Sequence, residues 1–153
     1  MEKTKKIVVV DIDGTIAKVG DRLKYLQQDK RDWDSFYEHC GEDELIEDMR
    51  ELVQDLDSAG YKIVYCTGRR ESVREKTTVW LIFKGFPFLT LGEALLMRQD
   101  KDWRHDTEVK PELLEKAGYS IEDVFLILED RDSMVAKWRE LGYRCLQVAD
   151  GKF

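Results

Sequence analysis

Long apolar runs are missing from this chain: stretches such as Ile7 to Val10 last a few residues, far short of the roughly 20 that a membrane-spanning helix needs. The N-terminal residues, with Lys3, Lys5 and Lys6, lead straight into one such stretch and then into acidic residues. This start reads neither as a signal peptide nor as a membrane anchor. Cysteine is scarce and odd in number, and Cys40, Cys66 and Cys145 have no metal-ligand spacing. Cys66 and Cys145 fall in apolar strand patterns, where a thiol packs as a small hydrophobe, so the reading is a reducing cytoplasm. The two histidines, His39 and His105, are too far apart for a metal cluster and read as surface residues. Positive charge is outnumbered, with 25 lysines and arginines against 32 aspartates and glutamates. A net charge of −7 excludes broad, salt-sensitive adhesion to nucleic acid over the whole surface, and leaves room only for a small basic rim. Repeats and low-complexity linkers are absent.

What is present fits one soluble globular domain over residues 1–153, with 42% apolar and 37% charged residues and enough length to bury a core unaided. Three short apolar runs end in polar residues: Ile7-Val-Val-Val10 before Asp11, Lys62-Ile-Val-Tyr-Cys66 before Thr67, and Val124-Phe-Leu-Ile-Leu128 before Glu129-Asp130. They read as buried parallel strands. Residues 88–91 and 144–148 supply two weaker strand candidates. Between the strands lie helical patterns. Leu45, Ile46, Met49, Leu52, Val53 and Leu56 mark a helix over 42–59, and Ser72 is placed to cap one carrying Val73, Thr77, Trp80 and Leu81. A helix begins near Lys110, and Met134, Val135, Trp138 and Leu141 line a last one ending at Gly142. The fold class is therefore α/β, a doubly wound, mainly parallel five-stranded Rossmann-like sheet. Residues 18–41 are polar, lack a sustained period and contain Trp33, Phe36 and Tyr37; they read as a small flap or minimal cap. Residues 92–107 are loosely patterned and carry Arg98, Lys101, Arg104 and His105.

Ligands of an open parallel sheet bind beyond the carboxyl ends of its strands, where Asp11, Thr67 and Glu129-Asp130 should converge. In Asp11-Ile-Asp-Gly-Thr15 two carboxylates stand one residue apart, and Gly14 eases the turn that brings both to one centre. A carboxylate and an anionic phosphate repel each other. A hard divalent cation relieves this by binding oxygens of both, and Asp11 and Asp130 are natural ligands for magnesium. Asp13 is placed to protonate a leaving oxygen and later to take a proton from water. Thr67 and Gly68 offer a hydroxyl and open backbone amides, and Lys110 a positive charge, for the oxygens of a phosphoryl group.

DIDGT, the strand ending CTGR, the lysine of EVKPELL and the run LILEDRD stand in the order of the four motifs of haloacid-dehalogenase phosphatases, which this chain resembles from Ile7 to about Val148. Within that superfamily it is similar to the 3′-phosphatase domains of phage polynucleotide kinase/phosphatases. The similarity lies in DIDGTIAK, in the Trp138-Arg139 helix after EDR and in the tail CLQVADGKF. The resemblance implies that Asp11 forms an aspartyl-phosphate, that Asp13 is acid and base, and that Thr67 and Lys110 bind phosphate. It also implies that magnesium is held by Asp11, the Asp13 carbonyl and Asp130. The chain departs from the pattern at two points, with Glu129-Asp130 in place of two aspartates and Thr67 in place of serine; this leaves the role of Glu129 open, a contact to the metal through a water being one option, and ranks Asp130 first as the ligand.

The expected activity is removal of 3′-terminal phosphates from DNA or RNA ends, with a separate polynucleotide kinase or ligase as working partner and no membrane. No GxxxxGKS or GxxxxGKT phosphate loop occurs, so a kinase activity would lie elsewhere. Arg69, beside Thr67, is the expected clamp on the phosphate; Arg70, Arg74 and Lys76 are as consistent with a solvated helix start. Trp33, Phe36 and Tyr37 are read as anchors of the flap rather than as base-stacking groups. Two alternatives stay open at this point: a phosphatase of small molecules such as nucleotides, and a phospho-receiver module. Against the receiver stands residue order, because the Asp-x-Asp pair opens the chain and the second acidic pair comes last.

Overall fold

The computed structural model describes residues 4–88 and 94–152. Strand β1 (Ile7–Val10) is buried on both faces, as a run of β-branched residues without a polar face requires. It pairs in parallel with β2 (Lys62–Arg70) and β4 (Val124–Glu129); β3 (Leu95–Arg98) and β5 (Cys145–Gln147) complete the sheet in the order β3-β2-β1-β4-β5. Helices α1 (Trp33–Glu38), α2 (Glu47–Ser58), α3 (Arg74–Phe83), α4 (Asp106–Lys116) and α5 (Asp132–Glu140) lie between the strands.

Alternation along the strands divides the core in two. Val8, Val10, Ile63 and Tyr65 pack with Val53 of α2 and with Trp80 and Leu81 of α3. Ile7, Val9, Val64 and Cys66 pack with Leu114 of α4 and with Met134 and Trp138 of α5. Helices thus cover both faces, and the direction of winding reverses at β1, between β2 and β4. The crevice that forms at such a reversal is where an open α/β sheet places its ligand, and it receives Asp11 from β1 and Glu129-Asp130 from β4.

Four boundaries differ from the sequence reading. Phe88 is not in a strand, and 89–91 lie outside the described residues; the third strand is Leu95–Arg98, inside the stretch read as loosely patterned. Leu-Leu-Met lacks the β-branched signature of the other strands, so its short apolar run carried no strand signal by itself. β2 does not stop at Cys66 but continues to Arg70 through a register shift between Thr67 and Arg70, a bulge that re-aims the side chains at its end. Helix α2 begins at Glu47, because the preceding backbone is tied to the first motif: Lys18 N–H donates to the Glu44 carbonyl and Ile46 N–H to the Ile16 carbonyl. Ser72 caps no helix; it sits in a 3₁₀ turn (Glu71–Val73), its N–H donating to Asp100. Among the described residues no helix is long and apolar enough to cross a membrane.

Candidate active site

The chain leaves β1 at Asp11, whose N–H still pairs with the Leu128 carbonyl of β4. It then coils tightly around the Ile12 carbonyl, which accepts from the N–H groups of Thr15, Ile16 and Ala17. Gly14 is required twice over: its φ is +83°, and a Cβ there would lie 2.1 Å from an Asp130 carboxylate oxygen. The Thr15 hydroxyl, fully buried, lies 3.2 Å from both Asp11 Oδ2 and Asp130 Oδ1. It has one proton to share between them.

On the other side, Lys110 reaches in from the second turn of α4, which begins at Asp106 rather than at the lysine. Its Nζ lies 2.8 Å from Asp11 Oδ1 and 2.8 Å from Glu129 Oε2. Burial opposes its charge, but Asp11 and Glu129 outweigh burial and hold the ammonium well above the ordinary lysine range. Glu129 and Asp130 are pushed up, by burial first and then by the negative charge of Asp11. The second oxygen of Glu129 accepts from the N–H of Asp130. The C-terminal tail closes the back of this strand end: the Gln147 amide donates to the Asp130 carbonyl, and a Cβ on Gly151 would meet that carbonyl oxygen at 2.2 Å. Asp132, the first residue of α5, accepts from Gln147.

Asp11, Glu129 and Asp130 each offer a carboxylate oxygen within 4.8 Å of the others. Three buried carboxylates facing one lysine leave excess negative charge, and an all-oxygen donor set suits a hard divalent cation such as magnesium. The residues present therefore fit a metal. Thr67, 1% exposed, closes the cavity at β2, where its hydroxyl accepts from the Arg69 N–H. Gly68 is packed so tightly that a Cβ would sit 2.6 Å from Asp106 Oδ1. Arg98 fixes this corner by donating to the Gly68 carbonyl and pairing with Asp106.

Arg69 is where the expectation fails. Its side chain is fully buried and turns away from the cavity, donating to Asp13, Asp43 and Thr77. The bulge in β2 is the reason, since it sends consecutive side chains to different environments; Arg70, not Arg69, lines the cavity. Arg74 and Lys76 pair with Glu71 and Glu38. Arg22 and Asp43 carried no signal in the sequence, one lying in the patternless excursion and the other in the expected helix. They complete a buried group of four: Arg22 lies 2.7 Å from Asp13, and Asp43 accepts from both arginines. Phe36 carries the Arg22 guanidinium 4.4 Å above its ring. The segment 18–41 thereby sends a side chain to the site.

Burial by itself would raise the Asp13 carboxyl, but the charges of Arg69 and Arg22 overcome it and hold Asp13 well below the usual carboxylate range. A group depressed on folding contributes stability that is fully present above its unfolded pKa, about 3.9, and is lost as pH falls toward the folded value. The gap in unfolding free energy between wild type and Asp13→Asn should therefore narrow as pH is lowered from about 6 to about 3. Denaturant titrations across that range measure it, and a gap independent of pH would mean that the arginine contacts contribute nothing.

One cavity of about 640 Å³ takes in Asp11, Asp13, Thr67, Gly68, Lys110 and the Glu129-Asp130 pair. This sheet, with its acidic strand ends around a buried lysine, has the groups that phosphoryl transfer requires. The family profile of the polynucleotide kinase PNKP phosphatase domain matches residues 5–153, and the chain belongs to that family. The chain is similar to solved structures of the Pnkp1/Rnl/Hen1 complex, at 29% identity over 97% of its length with a TM-score of 0.82, and of the Pnkp1/Rnl/Hen1 RNA repair complex, at 28% over 98% with 0.82. It spans 47% and 44% of those two chains, less than half of each. A haloacid dehalogenase-like hydrolase from Streptococcus pneumoniae shares the fold alone, at 14% identity, with 94% of this chain and 84% of that one covered and a TM-score of 0.61. Membership of a phosphatase family removes the phospho-receiver alternative.

Proposed function

We propose that this domain removes a terminal 3′-phosphate from DNA or RNA, leaving a hydroxyl that a ligase or polymerase can use. Support comes from the family match along nearly the whole chain, and from a cavity whose inner end carries phosphoryl-transfer groups and whose rim is basic and aromatic. In this reading Asp11 attacks phosphorus, the ester bond to the 3′-oxygen breaks, and an aspartyl-phosphate forms. Lys110, already 2.8 Å from Asp11, faces the transferring oxygens together with Thr67 and the Gly68 amide. Asp13 gives a proton to the departing 3′-oxygen and later takes one from the water that hydrolyses the aspartyl-phosphate. In the free protein Asp13 is ionised between two arginines, so its role as an acid depends on the bound phosphate, whose negative charge opposes Arg22 and Arg69 and draws a proton onto the carboxyl. Asp11, Asp130 and Glu129 would hold magnesium, with the Asp13 carbonyl as a further ligand; the metal supplies screening of the charge between carboxylate and phosphate. Lys110 already occupies Glu129, so Asp130 is the more available ligand and Glu129 acts through the lysine or a bridging water.

One of the similar structures is that of an RNA repair complex containing Pnkp1. By analogy, a polynucleotide kinase or ligase is the partner activity expected to use the ends this domain produces. The test is phosphate release with magnesium from matched oligonucleotides bearing a 3′- or a 5′-phosphate, beside 3′-mononucleotides and an aryl phosphate. Preference for the 3′-phosphorylated oligomer is the expected result. Preference for the small esters would keep the hydrolase chemistry and remove the polynucleotide.

A further inference from the structure

The rim of the cavity carries an aromatic residue that the proposed chemistry does not use. Trp103, in the connection between β3 and α4, is 73% exposed, although indole is among the side chains that gain most from burial. It lines the same cavity as Asp11 and Lys110. One side of the ring is held by Arg70, whose guanidinium carbon lies 4.6 Å from the ring centroid and 5.5 Å from that of Tyr37. Arg70 is only 9% exposed and is paired with Asp34; its Nε, also buried, donates to no acceptor among the described residues. A buried donor of this kind favours an oxygen ligand at the same place. Trp33 lines the cavity too, but its ring is already engaged with Phe36 at 5.7 Å and Tyr37 at 5.9 Å.

Trp103 is thus a plate fixed against a cation and otherwise open to solvent, at the mouth of a site that handles phosphate. Every nucleobase presents a π-face to such a plate whatever its identity, so stacking there tolerates any sequence. A small aliphatic phosphate ester has nothing to lay on it.

We propose that Trp103 is the stacking platform for the 3′-terminal base, and that Arg70 behind it donates to an oxygen of the adjoining phosphodiester, so that the pair selects a polynucleotide end over a small ester. This rests on the 3′-phosphatase reading and extends it to the means of substrate choice. The experiment compares kcat/KM on a 3′-phosphorylated oligonucleotide with kcat/KM on the same oligomer whose last nucleotide is abasic, for wild type, Trp103→Ala and Trp103→Phe. Wild type is expected to prefer the base-bearing oligomer by about 5- to 150-fold, the range set by stacking of one base. Trp103→Ala should bring that ratio near one, and Trp103→Phe should keep most of it. A ratio unchanged by Trp103→Ala, or an equal fall on both oligomers, would overturn the proposal, the second outcome assigning Trp103 to holding Arg70 in place. If wild type releases no phosphate from either oligomer, the 3′-phosphatase reading itself falls. Binding of the 3′-hydroxyl oligomer, followed by fluorescence anisotropy, then decides the platform: weakening by Trp103→Ala supports it, and insensitivity overturns it.

Discussion

Asp11→Asn is expected to abolish phosphate release, by about 10⁴-fold or more, without loss of the fold. An amide is isosteric with the carboxylate but cannot form the aspartyl-phosphate. No neighbour can replace it, because Glu129 is held by Lys110 and by the Asp130 N–H, and Asp13 is held by two arginines. The stability side of the same substitution runs the opposite way. Asp11, Glu129 and Asp130 crowd together, Lys110 pairs with Asp11 and Glu129, and the Asp11 charge is one cause of the raised Glu129 and Asp130 carboxyls. Removing that charge lowers the repulsion, so metal-free Asp11→Asn should melt no lower than metal-free wild type. Magnesium should raise the melting temperature of wild type more than that of the variant, because the variant has lost one anionic ligand. Steady-state phosphate release and thermal melts with and without magnesium measure both effects. Turnover near the wild-type rate would sink the nucleophile assignment, and a collapse of the fold would mean that Asp11 is structural.

The strand ends were legible because their chemistry is written in consecutive residues. A β-branched run followed by Asp-x-Asp-Gly-Thr, or by Glu-Asp, gives the strand, its direction of burial and the groups at its tip in one short reading. The relative placement of those tips follows from the parallel sheet alone, and the family motifs along the sequence carried the assignment further. What stayed hidden depends on contacts between distant segments. Arg22 lies in a stretch with no periodicity, and only the fold shows that its guanidinium crosses to Asp13. Asp43 sat inside an expected helix that begins later, because the backbone before it is bound to the first motif. The inversion of Arg69 and Arg70 turns on one irregularity in β2, where Gly68 and Arg69 have no partners on β3 between the pairs Thr67–Met97 and Arg70–Arg98, and strand propensity cannot reveal it. Leu95-Leu-Met-Arg98 shows the same limit, because four residues of ambiguous propensity become a strand only when β2 is there to pair with them.

Arg69→Met carries the largest expected cost in stability, and it separates the role the structure gives this residue from the one the sequence suggested. Methionine matches the length of the arginine stem but leaves Asp13 and Asp43 to share Arg22 alone, and it removes the donor to Thr77. Breaking a buried ion pair from one side costs about 3–5 kcal/mol, because the remaining charge is stranded. In a domain of this size that lowers the melting temperature by roughly 6–20 °C. The effect on turnover should fall on kcat rather than on KM. Arg69 does not line the cavity, so substrate keeps its contacts, whereas Asp13 loses one of the two cations that fix its position and charge. Kinetics must be run well below the lowered melting temperature, where the variant is still folded. A raised KM with kcat intact would return Arg69 to the phosphate. An unchanged melting temperature would show that the buried group of four contributes nothing to stability. Loss of kcat together with a large fall in melting temperature would establish that the acid–base carboxylate is held by charges which also hold the fold together, and would explain how one buried arginine serves both.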